Sequence, residues 1–260
     1  MITDWHRATV ETASELTGYY SEVAGGAQQK GWFKAVPSEK INPSDYNDDA
    51  EKWYFGNNNG TLVTSELKSI SGKKYAFDEY GRMMSGLVAM TVDSDNKIVK
   101  YQKIDKESQM GDAYLETVML GDSSEGVGGV GVYYFGGGED GSMKTGNQTV
   151  GIDGDNYQFS FGKNGGKKGK GLNGLDNNAF YVYGKKIKAD ADYRYQAVDA
   201  EEGTDGVLYT DGQLYYGTDA VGKYLINTSG TLMKGTKYTD SEGRVYTLDD
   251  DHTIKSVTWK

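Results

Sequence analysis

Gly72-Lys73-Lys74-Tyr75-Ala76-Phe77-Asp78-Glu79-Tyr80-Gly81-Arg82-Met83-Met84-Ser85-Gly86 reads as a strand, a turn and the start of a return strand within fifteen residues. Tyr75 and Phe77 are ring residues that suit a pleated, half-buried surface. Asp78 and Gly81 bracket a turn, because an Asp side chain bonds nearby backbone and Gly takes φ > 0 without cost. The unit recurs. Trp53-Tyr54-Phe55-Gly56-Asn57-Asn58-Asn59-Gly60 leads into Thr61-Leu62-Val63-Thr64, with its turn glycine 21 residues before Gly81. Lys223-Tyr224-Leu225-Ile226-Asn227-Thr228-Ser229-Gly230 leads into Thr231-Leu232-Met233-Lys234-Gly235. Val245-Tyr246-Thr247-Leu248-Asp249-Asp250-Asp251-His252 follows 22 residues later, with His252 in the glycine place. A looser copy runs from Val132-Tyr133-Tyr134-Phe135 to Asp140-Gly141, its turn two residues longer.

Weaker copies lie between these. Tyr157-Gln158-Phe159-Ser160-Phe161 alternates ring and polar residues and runs into the glycine-rich stretch 162–171. Ala179-Phe180-Tyr181-Val182-Tyr183 turns at Gly184-Lys185-Lys186 into Ile187-Lys188-Ala189. Val207-Leu208-Tyr209-Thr210 and Gln213-Leu214-Tyr215-Tyr216 flank Asp211-Gly212, which predicts a tight hairpin. About eight hairpins follow from the pattern. A lone hairpin does not stand in water, so the rings must pack from one copy to the next.

The expected fold is therefore an all-β solenoid of tandem β-hairpin repeats over residues 31–260. Residues 1–30 are expected to be a helical or irregular N-terminal segment, because Val10, Ala13, Leu16 and Thr17 form a weak amphipathic pattern from Thr9 to Tyr20. An insertion is expected over about 88–131. Within it Ala89–Val92 and Lys97–Tyr101 flank Asp93-Ser94-Asp95-Asn96 as a further hairpin, and residues 126–131 read as a return loop.

Composition agrees and narrows the function classes. Gly (37 residues) and Tyr (21) are abundant, whereas Pro occurs only twice, at Pro37 and Pro43, so tight turns rather than Pro-rich linkers dominate. A net charge of −10 argues against nucleic acid as a partner. The chain holds no Cys, which removes disulfides and thiolate metal sites. No apolar run approaches a membrane span, and Met1-Ile2-Thr3-Asp4-Trp5 does not read as a signal peptide, so an exported protein would be represented here by a fragment. The two histidines, His6 and His252, support no triad. Among so many carboxylates, pairs such as Glu201-Glu202 say nothing about glycosidase chemistry. Asp93-Ser94-Asp95-Asn96-Lys97-Ile98 opens like a calcium loop but lacks its sixth-place Gly and a placed Glu. Gly162 to Gly169 lacks the order of a phosphate loop and reads as a turn. No metal or cofactor is expected.

The pattern of ring residues, Phe, Asp, two residues, Gly, Met and a small residue before Gly, seen in Tyr75–Gly86, resembles the cell-wall-binding repeat family that includes choline-binding and glucan-binding modules. Gly31-Trp32-Phe33-Lys34 resembles the Gly-Trp strand that opens a repeat in that family. The resemblance covers roughly residues 31–87 and 131–260. It implies hairpins with ligand sites between consecutive copies, where aromatic faces attract a quaternary ammonium group. Carried over by position, it implies one near-complete cage: Trp32, Trp53 and Tyr75, with Met84 as a thioether wall. Tyr54, Tyr133, Tyr134 and Tyr224 are further ring positions of the same kind. Elsewhere the family's Trp is replaced, by Leu87, Asn147 and Thr236 after the closing Gly and by Lys74 and Lys223 in the ring run. A lysine there repels a choline cation.

The expected function is a non-catalytic cell-wall or glycan binding module of a bacterial surface or secreted protein, located outside the cell. Its partner is a cell-wall polymer (teichoic acid choline or glycan) or a host glycan or protein. The alternative is a structural stalk or adhesin that displays the insertion to a protein partner.

Overall fold

The computed structural model describes residues 4–7, 16–21, 25–38, 50–110, 115 and 129–260. The elements there are short antiparallel strands, joined by turns and by 3-10 turns at Glu107–Gln109, Gly165–Lys167 and Gly217–Ala220. The fold is all-β and built of hairpins, as the repeat predicts.

Two turn types recur. One is a two-residue connection with both residues at positive φ: Ser71-Gly72, Asp153-Gly154, Asn177-Asn178 and Tyr183-Gly184. That geometry matches the twist of the flanking strands. The other is a five-residue loop that starts on an Asx residue. Asp78 N–H donates to the Arg82 carbonyl and Gly81 N–H to the Asp78 carbonyl, at 3.0 Å each. Asp78 Oδ1 accepts from the N–H groups of Tyr80 (3.0 Å) and Arg82 (2.8 Å). The same backbone pattern starts at Asn57, Asp93, Asn227, Asp240 and Asp249. Its fourth residue is left-handed each time: Gly60, Gly81, Asn96, Gly230, Gly243 and His252 (φ 70°). The assignment of His252 to the glycine place is borne out.

The described residues divide into two compact units. The first comprises residues 1–103, 119–130 and 134–144. In it Asp4–Arg7, Leu16–Ser21 and Ala27–Gln28 form a three-stranded sheet. The helix expected over Thr9–Tyr20 is therefore absent from its C-terminal part, Leu16–Tyr20, which is strand; 9–15 lie outside the described residues. Leu16-Thr17-Gly18-Tyr19-Tyr20 carries a β-branched residue, a mid-segment Gly at φ 141° and two rings, all of which favour an extended chain over a helix. Gly31–Ala35 pairs with Lys52–Gly56, and Glu66–Ile70 with Lys73–Phe77. Strand alternation sends Phe33 and Tyr54 into a cluster with Trp5, Ala35 and Leu62, while Trp32 and Phe55 pack on Val63, Ile70 and Phe77. The hairpin expected around Asp93–Asn96 is present as Leu87–Val92 and Ile98–Ile104. Its turn is hydrogen-bonded to the preceding copy, Leu67 N–H to the Asn96 carbonyl and Ile98 N–H to the Ser65 carbonyl, at 2.8 Å each.

The second unit comprises residues 104–118, 131–133 and 145–260. Its largest sheet orders Gly146–Ile152, Asp155–Phe161, Lys185–Lys186, Ala179–Val182 and Gly174–Asp176. Two further sheets follow: Leu214–Tyr215 with Tyr195–Val198 and Tyr224–Asn227, then Lys237–Thr239 with Arg244–Leu248 and Ile254–Trp259. The core holds Phe180, Val182, Ile187, Val198, Ile226 and Leu232, continuing through Leu225, Tyr246, Leu248 and Ile254. The hairpin predicted about Asp211-Gly212 does not form. Leu208–Tyr209 pairs back on Glu201–Glu202, and Leu214–Tyr215 pairs on Tyr195–Val198. Asp211 Oδ1 takes the Gln213 N–H and Gly212 lies at φ 83°, so the dipeptide turns a corner between two sheets. Leu208 and Leu214 are both half-buried against the Phe180–Val198–Ile226 core although their strands pair in different sheets.

Candidate ligand-binding site

In the first unit the register sets Trp32 opposite Phe55 and Lys34 opposite Trp53. Trp32, two residues from Lys34 on one strand, shares its face, so three rings and a cation line one surface. Trp32 meets Tyr75 edge-on at 4.8 Å between centroids and Trp53 at 6.1 Å, with interplanar angles of 69° and 88°. Phe55 and Phe77 support it from below at 5.2 and 5.8 Å. Trp32, Trp53 and Tyr75 are all half-buried. The three rings that the repeat pattern singles out are thus brought together, from three different strands and across the 20-residue spacer 33–52.

Met83, rather than Met84, packs into this ring cluster. Its N–H donates to the Trp53 carbonyl at 2.8 Å, which fixes the return strand beside the rings. Met84 takes the opposite pleat, 8% exposed, with its N–H on the Ala76 carbonyl. Both methionines line a separate groove with Asp78, Arg82 and Tyr101. The Asp78 carboxyl is pushed above the usual carboxylate range by burial, although Arg82 pulls the other way from 2.7 Å.

One face of Trp53 carries a lysine. Lys34 Nζ stands 5.0 Å from its ring centroid and 2.7 Å from Glu139 Oε2, and Trp53 Nε1 donates to the same oxygen at 2.5 Å. Hydrogen bonds from Lys34 and then Trp53 hold the Glu139 carboxyl below its ordinary range. The rim of the site is therefore a polar clamp of one cation and one anion.

The second unit repeats the theme. Lys223 Nζ lies 4.6 Å from the Tyr215 ring centroid and 3.1 Å from Asp199, so the lysine in the family's Trp place covers a ring itself. Arg244 has the rings of Tyr216, Tyr193 and Trp259 at 5.0, 5.4 and 5.8 Å from Cζ, a three-ring cage around the chain's own guanidinium. Sequence reasoning missed this arrangement. The signal that could have found it is the shared spacing Asp78-x-x-Gly81-Arg82 and Asp240-x-x-Gly243-Arg244, in which the Arg bonds back to the Asp.

The other ring positions differ in placement. Tyr54, expected as a ligand ring, is fully buried 4.7 Å from Trp5 and belongs to the core. Tyr133 and Tyr134 are half-buried, with the Tyr133 phenol raised by burial. Tyr224 is half-buried against Phe180 at 5.9 Å. Among the described residues no group of three or more His, Cys, Asp or Glu could hold a metal ion. The Asp93 carboxylate caps its own turn through the N–H groups of Asp95 and Lys97.

No family model matches the sequence, and no curated protein matches it. Solved structures do. The chain is similar over 96% of its length to an alternansucrase in complex with isomaltononaose, at 19% identity and a TM-score of 0.26, spanning 16% of that chain. It is similar over 98% to the modular autolysin LytC of Streptococcus pneumoniae in complex with a synthetic peptidoglycan ligand, at 12% identity and a TM-score of 0.37, spanning 47% of that chain. Choline binding protein F of Streptococcus pneumoniae, in the presence of a peptidoglycan analogue, matches over 97% at 18% identity and a TM-score of 0.23, with 86% of that chain spanned. The first two thus exceed this chain at least twofold in length. Proteins named for choline binding stand among the structures it is similar to.

Proposed function

We propose that the chain is a non-catalytic binding module of a bacterial surface or secreted protein, and that the Trp32–Trp53–Tyr75 surface holds a wall or other glycan. The observation that carries this reading is the convergence of three half-exposed rings from three strands beside a hydrogen-bonding rim of Lys34 and Glu139. Sugar C–H faces stack on rings, and hydroxyls exchange hydrogen bonds with charged side chains. Choline fits less well, because Lys34 lies where a quaternary ammonium would approach Trp53. Trp32 and Tyr75 also pack on the Val63–Ile70–Phe77 core, so a Trp53→Ala test, which spares both, separates binding from packing.

The reading is tested by titrating α-glucan oligosaccharides, peptidoglycan fragments and choline while following tryptophan fluorescence and heat. Saturable binding of a saccharide that Trp53→Ala abolishes, with the near-UV spectrum otherwise retained, supports it. Absence of any saturable response to all three, or undiminished binding by Trp53→Ala, overturns it. The stalk reading gains nothing from the Leu87–Ile104 hairpin, whose turn is bonded to the neighbouring copy.

A further inference from the structure

A second groove, in the other unit, has different chemistry. It has a volume of about 360 Å³ and is lined by Tyr157, Lys185, Lys186, Lys188 and Leu214 together with the carboxylates Glu107 and Asp190. Lys185 and Lys186 lie on a strand that pairs with Ala179–Val182 and bridges to Phe159. Beyond them Ile187 points into the core while Lys186 and Lys188 stand on the other side of the chain. Gly230 makes room for both: a Cβ there would lie 2.9 Å from Lys186 Cε and 3.2 Å from Lys188 Cγ. The three lysines are half-buried rather than splayed into water.

Their charges are unevenly matched. Lys185 lies 3.7 Å from Glu107 and 5.0 Å from the Tyr157 ring centroid, so it is engaged. Among the described residues no carboxylate makes an ion pair with Lys186 or Lys188. Burial, and then Lys188 beside it, hold the Lys186 ammonium below the ordinary lysine range. Asp190 Oδ1 instead caps the Asp192 N–H. Glu107 also accepts from Tyr157, whose phenol is pushed up to about 12 by burial and by that bond. In a chain of net charge −10, two neighbouring half-buried lysines with no ion-paired carboxylate among the described residues are out of keeping with their surroundings.

We infer that this groove binds an oxyanion carried on a polysaccharide or polyol chain, with Lys186 and Lys188 as the ligand's counter-charges and Tyr157 as an apolar wall for the chain. Lysine serves phosphates and carboxylates as a point charge on a flexible stem. The volume suits one or two residues of a polymer. The site is distinct from the ring surface in chemistry and does not rest on it.

Isothermal titration at low ionic strength tests the inference with four probes: a poly(glycerol phosphate) chain, an oligouronate, a neutral dextran of matched length and inorganic phosphate. The acidic polymers are expected to bind and the neutral one to leave this groove untouched; the stronger of the two identifies phosphate or carboxylate as the source. Lys186→Gln/Lys188→Gln is expected to weaken acidic binding about tenfold, Lys186→Arg/Lys188→Arg to retain it and Trp53→Ala to leave it unchanged. The control is Lys167→Gln/Lys168→Gln, which removes the same charge from exposed turn positions of that unit. An equal loss in the control pair, no loss in the groove pair while its melting temperature is unchanged, or no acidic binding at all overturns the assignment.

Discussion

Replacing Arg244 by Leu should strip the second unit of a large part of its stability. The Asp240 side chain is fully buried. Its Oδ1 accepts the N–H groups of Glu242 (3.0 Å) and Arg244 (2.9 Å), and its Oδ2 accepts Arg244 Nε (2.7 Å) and the Tyr246 hydroxyl (3.2 Å). The leucine keeps both turn N–H bonds but removes the only cation that reaches this carboxylate within the turn. Deleting one partner of a buried pair leaves an uncompensated charge and costs about 3–5 kcal/mol. It also empties the cage of Tyr193, Tyr216 and Trp259, which adds lost ring contact. Asp240→Asn with Arg244→Leu should recover about 2 kcal/mol of that loss, because a neutral amide oxygen still caps the two N–H groups. Urea unfolding followed at Trp259, the sole tryptophan of this unit, measures each step. A single variant that loses under about 1 kcal/mol, or a double variant no better than the single, would show that the pair is not held dry and that the reasoning fails.

Three other outcomes follow from features already described. Tyr54→Phe should gain about 1 kcal/mol in chemical denaturation, because the buried Tyr54 hydroxyl has no hydrogen-bond partner among the described residues; a loss would mean the phenol is satisfied. His252→Gly should gain about 0.5–1 kcal/mol, since φ 70° is strained for His and natural for Gly; destabilisation would mean the imidazole makes a contact worth more than the strain. For Glu66, burial alone would raise the carboxyl, but Lys97 at 2.9 Å and Lys68 at 3.3 Å outweigh it and leave it below its ordinary value. Its stabilising contribution is therefore present above the usual carboxylate range and is lost as pH falls through the lowered value. The stability difference between wild type and Glu66→Gln should shrink on acidification, and a difference flat with pH contradicts the pairing.

Strands and turns were legible because both rest on local chemistry: ring residues alternating along a strand, and an Asx with a left-handed residue three positions on. That is why His252 could be placed from spacing alone, whereas the grouping of Trp32, Trp53 and Tyr75 came from the resemblance to cell-wall-binding repeats and not from local chemistry. What escaped depends on pairing across longer distances. Asp211-Gly212 carries the chemistry of a hairpin turn, yet the strands of Leu208 and Leu214 pair with Glu201–Glu202 and Tyr195–Val198 instead of with each other. Whether Met83 or Met84 faces the rings depends on the pleat, and a one-residue slip reverses it. Lys34 was visible only as a polar residue of the Gly-Trp strand; its place over Trp53 follows from the register between two strands and from Glu139 far along the chain. The capture of Arg244 by three rings likewise needed the sheet beyond its turn.

The five-residue Asx loop closes two backbone bonds inside itself, from the Asx N–H to the carbonyl four residues on and from the N–H of the fourth residue back to the Asx carbonyl. The bend is thus set within its own five residues, even in copies such as the Asp93 loop that also bond a neighbouring strand. Copies can accordingly be duplicated, lost or shuffled during evolution while each newcomer arrives with its own correct bend. Residues on the strands between can then vary with less effect on the bend itself. A lineage built on such loops can change the faces of its strands faster than it changes its bends.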